Sequence, residues 1–213
     1  GELARAAVDA TLGNEAVKAD LLNSLGNILI REERYADAVS NLREAHALRE
    51  KLLGPSHLEV AGDLNDIATA LRKQGKLDEA LSTYFQALRI QEKILPPGHP
   101  ILASKLNNIA LVMRDQGKYE EAAQYMQQAL SIRRAAFGEA HPKSLEAWSN
   151  LASIYQRQGR NLDARNIYQQ VLALPQGGAD SAVLARTRFG LATALWSLNQ
   201  ERLRAVLSEQ GLL

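Results

Sequence analysis

Asparagine is a poor residue for a helix interior, yet Asn23, Asn65 and Asn107 stand 42 residues apart in segments that otherwise read as helix. Each carboxamide offers N–H donors and a carbonyl acceptor, which suits gripping the backbone of an extended peptide irrespective of its sequence. Ser149 continues the column, and one turn on come Asn27, Thr69, Leu111 and Ser153. The last turn supplies Arg31, Arg72 with Lys73, Arg114 with Asp115, and Gln156 with Arg157, and Arg186 adds to the set from a later segment. Guanidinium and ammonium groups in such places make charge-assisted bonds to carboxylates, bidentate where an arginine is well placed. The chemistry implied is reversible recognition of a peptide with acidic character.

His57, His99 and His141 share the same spacing and raise a metal reading, which geometry removes. Ligand nitrogens must converge to ~2 Å from one ion. Repeat-equivalent positions are separated by at least a helix packing distance of roughly 8–10 Å. Each histidine is expected to close the loop before a helix, with Pro100 and Pro142 in the first helical turn, where a missing N–H costs nothing. His46 lies alone on another helix, so no metal site and no cofactor is expected. Nor is an enzyme expected. There is no cysteine nucleophile, no glycine-rich phosphate loop and no nucleophile elbow, and the carboxylates of "KYEEA" and "KLDEA" sit on solvated helix faces.

The elements that must position these residues follow from periodicity. Leu22, Leu25, Gly26 and Leu29 recur as Leu64, Ile67, Ala68 and Leu71, then as Leu106, Ile109, Ala110 and Met113, then as Trp148, Leu151, Ala152 and Tyr155. Each set has the i, i+3, i+4, i+7 spacing of one helix face. The third member is always Gly or Ala, predicting close helix contacts there. Ala38, Ala80, Ala122 and Ala164 mark a second helix in each unit. Gly75, Gly117 and Gly159 fall between the two helices, suited to the left-handed turn that ends a helix, and Glu33 stands there in the first unit. A fixed period without insertions predicts a solenoid of helical hairpins, about ten or eleven helices in antiparallel pairs.

Composition agrees. Twenty-five Lys plus Arg against 24 Asp plus Glu leave a net charge of +1 over 213 residues, which argues against a coat for nucleic acid or an anionic membrane. No apolar run approaches the ~18 residues of a membrane span, and a cysteine-free chain fits a reducing cytoplasm. The sequence starts at Gly1 part-way through what reads as a helix, as expected of a piece of a longer protein.

The stretch "LNNIALVMRDQGKYEEAAQYMQQAL", with Ala110, Gly117, Tyr119, Ala122 and Ala129, resembles the tetratricopeptide repeat, whose usual unit is about 34 residues. The longer period and the loops "LGPSHLEV", "LPPGHPIL" and "FGEAHPKS" are similar to the 42-residue variety found in kinesin light chains. The resemblance implies an all-α, right-handed superhelical solenoid of antiparallel helix pairs. It divides one array into a remnant helix at 1–18, repeats at 19–60, 61–102, 103–144 and 145–174, and a degenerate C-terminal repeat or cap at 175–213. In that last unit "LPQGGADSAV" is read as a link and "ERLRAVLSEQ" as a separate second helix. The resemblance also places the asparagine column on the concave groove. A protein-interaction module is therefore expected, with Asn23, Asn27, Arg31, Asn65, Arg72, Lys73, Asn107, Arg114 and Arg157 meeting an acidic peptide. The alternative is a self-assembly or intramolecular regulatory segment that associates through the ends of the array.

Overall fold

The computed structural model describes residues 14–174 and 181–210. Among these, the chain forms nine helices and no strand: α1 Glu15–Arg31, α2 Tyr35–Leu53, α3 Leu58–Lys73, α4 Leu77–Ile94, α5 Pro100–Asp115, α6 Tyr119–Phe137, α7 Pro142–Arg157, α8 Asn161–Ala173 and α9 Ser181–Glu209. The starts of α3, α5 and α7 are 42 residues apart, as are those of α2, α4, α6 and α8. The fold is the expected all-helical array of hairpins. The helix read at the extreme N-terminus and the "PQGGAD" part of the link lie outside the described residues, and α1 already begins at Glu15, capped by Asn14.

The chain divides into two compact units, residues 1–116 and 117–213. In the first, α1 packs on α2, α2 on α3, α3 on α4 and α4 on α5, while α1 also touches α3 and α3 touches α5. In the second, α6 packs on α7, α7 on α8 and α8 on α9, with α7 also touching α9. The predicted apolar quartets form these contacts. Gly26, Ala68, Ala110 and Ala152 are all buried, as are Ala38, Ala80, Ala122 and Ala164 on the second helices. Each fully buried Leu or Ile contributes about 1.5–3 kcal/mol. Trp148 departs from its quartet: it is half-buried, with the guanidinium of Arg134 5.5 Å above its ring.

Local signals set the helix ends. His57, His99 and His141 are the residues before α3, α5 and α7, and the Nδ1 of each accepts from the backbone N–H two residues on, at 3.2 Å. That occupies one of the four N–H groups a helix start leaves open. Pro100 and Pro142 take the first helical position, as expected.

At the turn inside each hairpin the chain goes left-handed, with φ of 84° at Gly75 and 77° at Gly159. Glu33 holds the same conformation at φ 61° and is the only non-glycine with positive φ among the described residues. A side chain there costs about 1–2 kcal/mol, part of which glycine returns through its larger unfolded-state entropy. Glu33→Gly is therefore expected to raise stability by about 0.5–1 kcal/mol. Urea unfolding followed by circular dichroism reads it, and a lowered midpoint would contradict the strain argument.

The C-terminal segment corrects the expected hairpin. "ERLRAVLSEQ" is not a separate helix; through Glu209 it continues the single 29-residue helix α9. Where the three preceding units carry a turn glycine, this one reads Trp196-Ser197-Leu198-Asn199-Gln200-Glu201, with neither glycine nor proline to stop it.

Candidate functional site

In the first unit α1, α3 and α5 lie side by side, and the sequence-predicted residues fall along that row. The structure joins them across repeats. Asn23 Nδ2 donates to Asp63 Oδ1 at 3.0 Å and to Asp66 Oδ2 at 3.1 Å. Asn27 Nδ2 donates to the carbonyl and side-chain oxygens of Asn23 and reaches Asp66 Oδ2 at 3.3 Å. Asn65 Nδ2 donates to Asp66 Oδ1, and Asn65 Oδ1 accepts from Asn108 Nδ2 at 3.1 Å. Arg72 reaches Asp115 Oδ2 with Nε and Nη2, both at 2.7 Å, while Arg114 grips Asp115 Oδ1 with Nε at 3.1 Å and Nη2 at 2.8 Å.

One rule underlies three of these bonds. Asn23 with Asp66, Asn65 with Asn108, and Arg72 with Asp115 are each 43 residues apart, one repeat plus one residue. Side-by-side first helices thus meet through one column of residues and the next column of the following repeat. Reading the column at 42 alone found Asn23, Asn65 and Arg72 and missed Asp66 as the acceptor shared by three amides. The signal was present in the complementary residue types at a separation of 43.

Not every expected residue presents its polar group outward. Asn107 is 4% exposed, and its Nδ2 donates to Asn108 Oδ1. Arg31 and Lys73 are exposed at the last turns of α1 and α3. In the second unit, Arg157 is exposed at the end of α7 and Arg186 is exposed near the start of α9. There, Ser149 is buried against Thr187, their hydroxyls 2.6 Å apart, and Gln156 Nε2 donates to Thr193 at 2.7 Å. Thr69, in the first unit, shares a 2.8 Å hydrogen bond with Tyr84, whose hydroxyl burial pushes up to about 12.

A separate cavity of about 420 Å³ lies in the second unit, lined by Arg134, Glu139, Trp148, Gln170, Val171 and Leu174. Arg134 is paired with Glu139 there. Its lining combines apolar side chains with Gln170 and that ion pair. Among the described residues, no helix is long and apolar enough to cross a membrane.

Row, hairpins and period agree with the sequence comparison. A family model described as "Tetratricopeptide repeat" matches residues 18–93, 101–177 and 144–203. The chain belongs to the tetratricopeptide repeat family. Solved tetratricopeptide-type arrays share its fold. A putative kinesin light chain of Podosopora anserina with nearly identical TPR-like repeats matches at a TM-score of 0.75 and 23% identity, over 93% of this chain and 95% of that one. BtubC (BKLC) from P. vanneervenii matches at 0.75 and 22%, over 97% and 87%. Aspartyl phosphate phosphatase F from Bacillus subtilis matches at 0.75 and 17%, over 93% of this chain and 51% of that one. No curated protein matches the chain in sequence. The tetratricopeptide repeat is a protein-interaction scaffold, and this array, with its 42-residue period, is a module of that general kind.

Proposed function

We propose that the array is a non-catalytic cytoplasmic adaptor whose first-helix row binds an extended peptide carrying acidic side chains. The observation that supports it is the sharing at Asp115. Two guanidinium groups, Arg72 and Arg114, face a single carboxylate, and Lys73 follows Arg72 in the chain with its ammonium exposed. Three cations against one anion leave a positive surplus at this end of the row. The surplus is partly shielded from water, since the side chains of Arg72 and Arg114 are each only 22% exposed. Partial desolvation strengthens each bond a carboxylate would make. The peptide backbone is assigned to the half-buried amides Asn23, Asn27 and Asn65, while the buried Asn107 orients Asn108. Arg31 supplies a further cation in the first unit, and Arg157 carries the same kind of charge in the second.

Arg114→Glu is expected to weaken binding of an acidic peptide by about tenfold or more, because it adds repulsion to the lost attraction. Lys118→Glu, in an exposed turn, is the control and should change affinity by less than about twofold. Fluorescence anisotropy with peptides selected from a library rich in Asp and Glu measures both. Affinity should also fall with salt, as the Debye length shrinks from ~10 Å at 0.1 M to ~3 Å at 1 M. Equal losses from the two reversals, or selection of peptides without acidic residues, would overturn the reading.

A further inference from the structure

The face of α9 that turns away from α8 carries an apolar stripe. Phe189 is 72% exposed and Trp196 66%, with Leu195, Leu203 and Val206 exposed around them. The opposite face, through Val183, Thr187, Gly190 and Ala194, is buried. No residue of α9 beyond Ala194 is buried. The helix is also much longer than its neighbour. Its 29 residues span about 44 Å against ~20 Å for the 13 residues of α8. Asn161, at the start of α8, holds Glu201 by a 2.7 Å hydrogen bond, and the turns after it stand clear.

The spacing of the stripe is that of a helix made to meet another helix. Phe189, Trp196 and Leu203 are seven residues apart, and Ala192, Asn199 and Val206 each follow three residues later. That is the heptad pattern of a two-helix seam with one polar position. We infer that α9 is a dimerisation helix, which pairs with α9 of a second copy of this chain in antiparallel orientation.

The orientation follows from register and charge. Let a two-fold axis pass between Ser197 and Leu198. Phe189 then lies against Val206 of the second copy, Ala192 against its Leu203, and Trp196 against its Asn199, each pair occurring twice. Large side chains meet smaller ones, and the indole N–H of Trp196 faces an amide oxygen able to accept it. In the same register Arg188, flanking Phe189, comes next to Glu209 of the second copy, again twice. A parallel pairing would set Arg188 near Thr193 and Trp196 against Trp196, with no charged match. Packing two aromatic residues and three aliphatic ones per copy buries on the order of 1,000 Å² in total, the lower end for a specific interface, so the dimer is expected at micromolar concentration. This gives the self-assembly alternative a surface and does not depend on the peptide reading.

Sedimentation equilibrium over a concentration series tests it. The protein should shift from monomer to dimer, and Trp196→Asp should weaken association about thirtyfold or more while leaving the helical circular dichroism signal unchanged. Arg188→Glu and Glu209→Arg should each weaken the dimer, and the double charge swap should restore it. A monomer at all concentrations, a dimer that survives Trp196→Asp, or a charge swap that fails to rescue would each overturn the proposal.

Discussion

Replacing Arg49 by Met is expected to destabilise the first unit by about 3–5 kcal/mol at pH 7, because it orphans a buried carboxylate. Asp63 is 1% exposed. Its Oδ1 accepts from Arg49 and from Asn23, and its Oδ2 has no partner. Burial already raises its pKa above the ordinary carboxylate value, against the opposing pull of Arg49. Without Arg49 the rise grows. A carboxyl whose folded-state pKa exceeds its unfolded value of ~3.9 contributes stability that is full below ~3.9 and is lost as the pH climbs through the folded-state value. The deficit of Arg49→Met should therefore shrink as the pH falls from 7 toward 5. The double variant Arg49→Met with Asp63→Leu should recover most of the loss at pH 7, since it leaves no charge behind. Both tryptophans lie in the second unit, so circular dichroism or amide exchange in α2 and α3 must be the probe. A pH-independent deficit would mean that Arg49 acts through packing alone.

This pair marks where the sequence stopped being legible. The apolar quartets and the turn glycines could be read because each is a local property that recurs at 42 residues, a helix face or a left-handed φ. The histidines could be read only as closing loops, and their capping of an open N–H came from the structure. Arg49 and Arg133 also recur in register, both buried on second helices, but their partners do not. Arg49 meets Asp63, whereas Arg133 donates to the carbonyl of Lys143 and to Glu146. Between them stand Gln91 and, at the position of Asp63, a buried Lys105 whose pKa burial lowers. Periodicity finds what every unit does alike and passes over what one interface does alone. The asparagine column was half legible for a related reason. Its residues were visible at 42, but a bond joins two residues on different helices, and that offset of 43 depends on how neighbouring helices stagger. The long α9 failed differently, for the expected hairpin assumed a turn where the sequence has no residue to make one.

The seam of polar bonds has a consequence for binding. In the proposed binding mode, Asp115 would hold Arg72 and Arg114 in place before a peptide arrives, so less side-chain entropy would be lost on binding than for a free arginine. The same carboxylate lowers the local charge by one. Pre-organisation and attraction therefore oppose each other at this one residue, and Asp115→Asn should separate them. It keeps a hydrogen-bonding oxygen while removing the negative charge.

Gly190→Ala is expected to cost the second unit about 2 kcal/mol, although alanine is the better helix former by about 1 kcal/mol. A Cβ on Gly190 would stand 2.3 Å from Tyr168 Cζ, 2.5 Å from its hydroxyl and 2.8 Å from Cε1. The ring has little room to retreat, being 3% exposed in the contact between α8 and α9 and tied through its hydroxyl to Gln156. Either the ring tilts off its rotamer or α9 moves away from α8, and both disturb a close-packed contact. Tyr168→Ala alone should cost about 3–5 kcal/mol by leaving a cavity. It also removes the obstacle. In that background Gly190→Ala should become stabilising by about 1 kcal/mol, because only the helix preference remains. The sign reversal is the discriminating result, and the fluorescence of Trp148 and Trp196, both in this unit, reports the unfolding. The same cost in both backgrounds would show that Gly190 is required for a reason other than the ring of Tyr168.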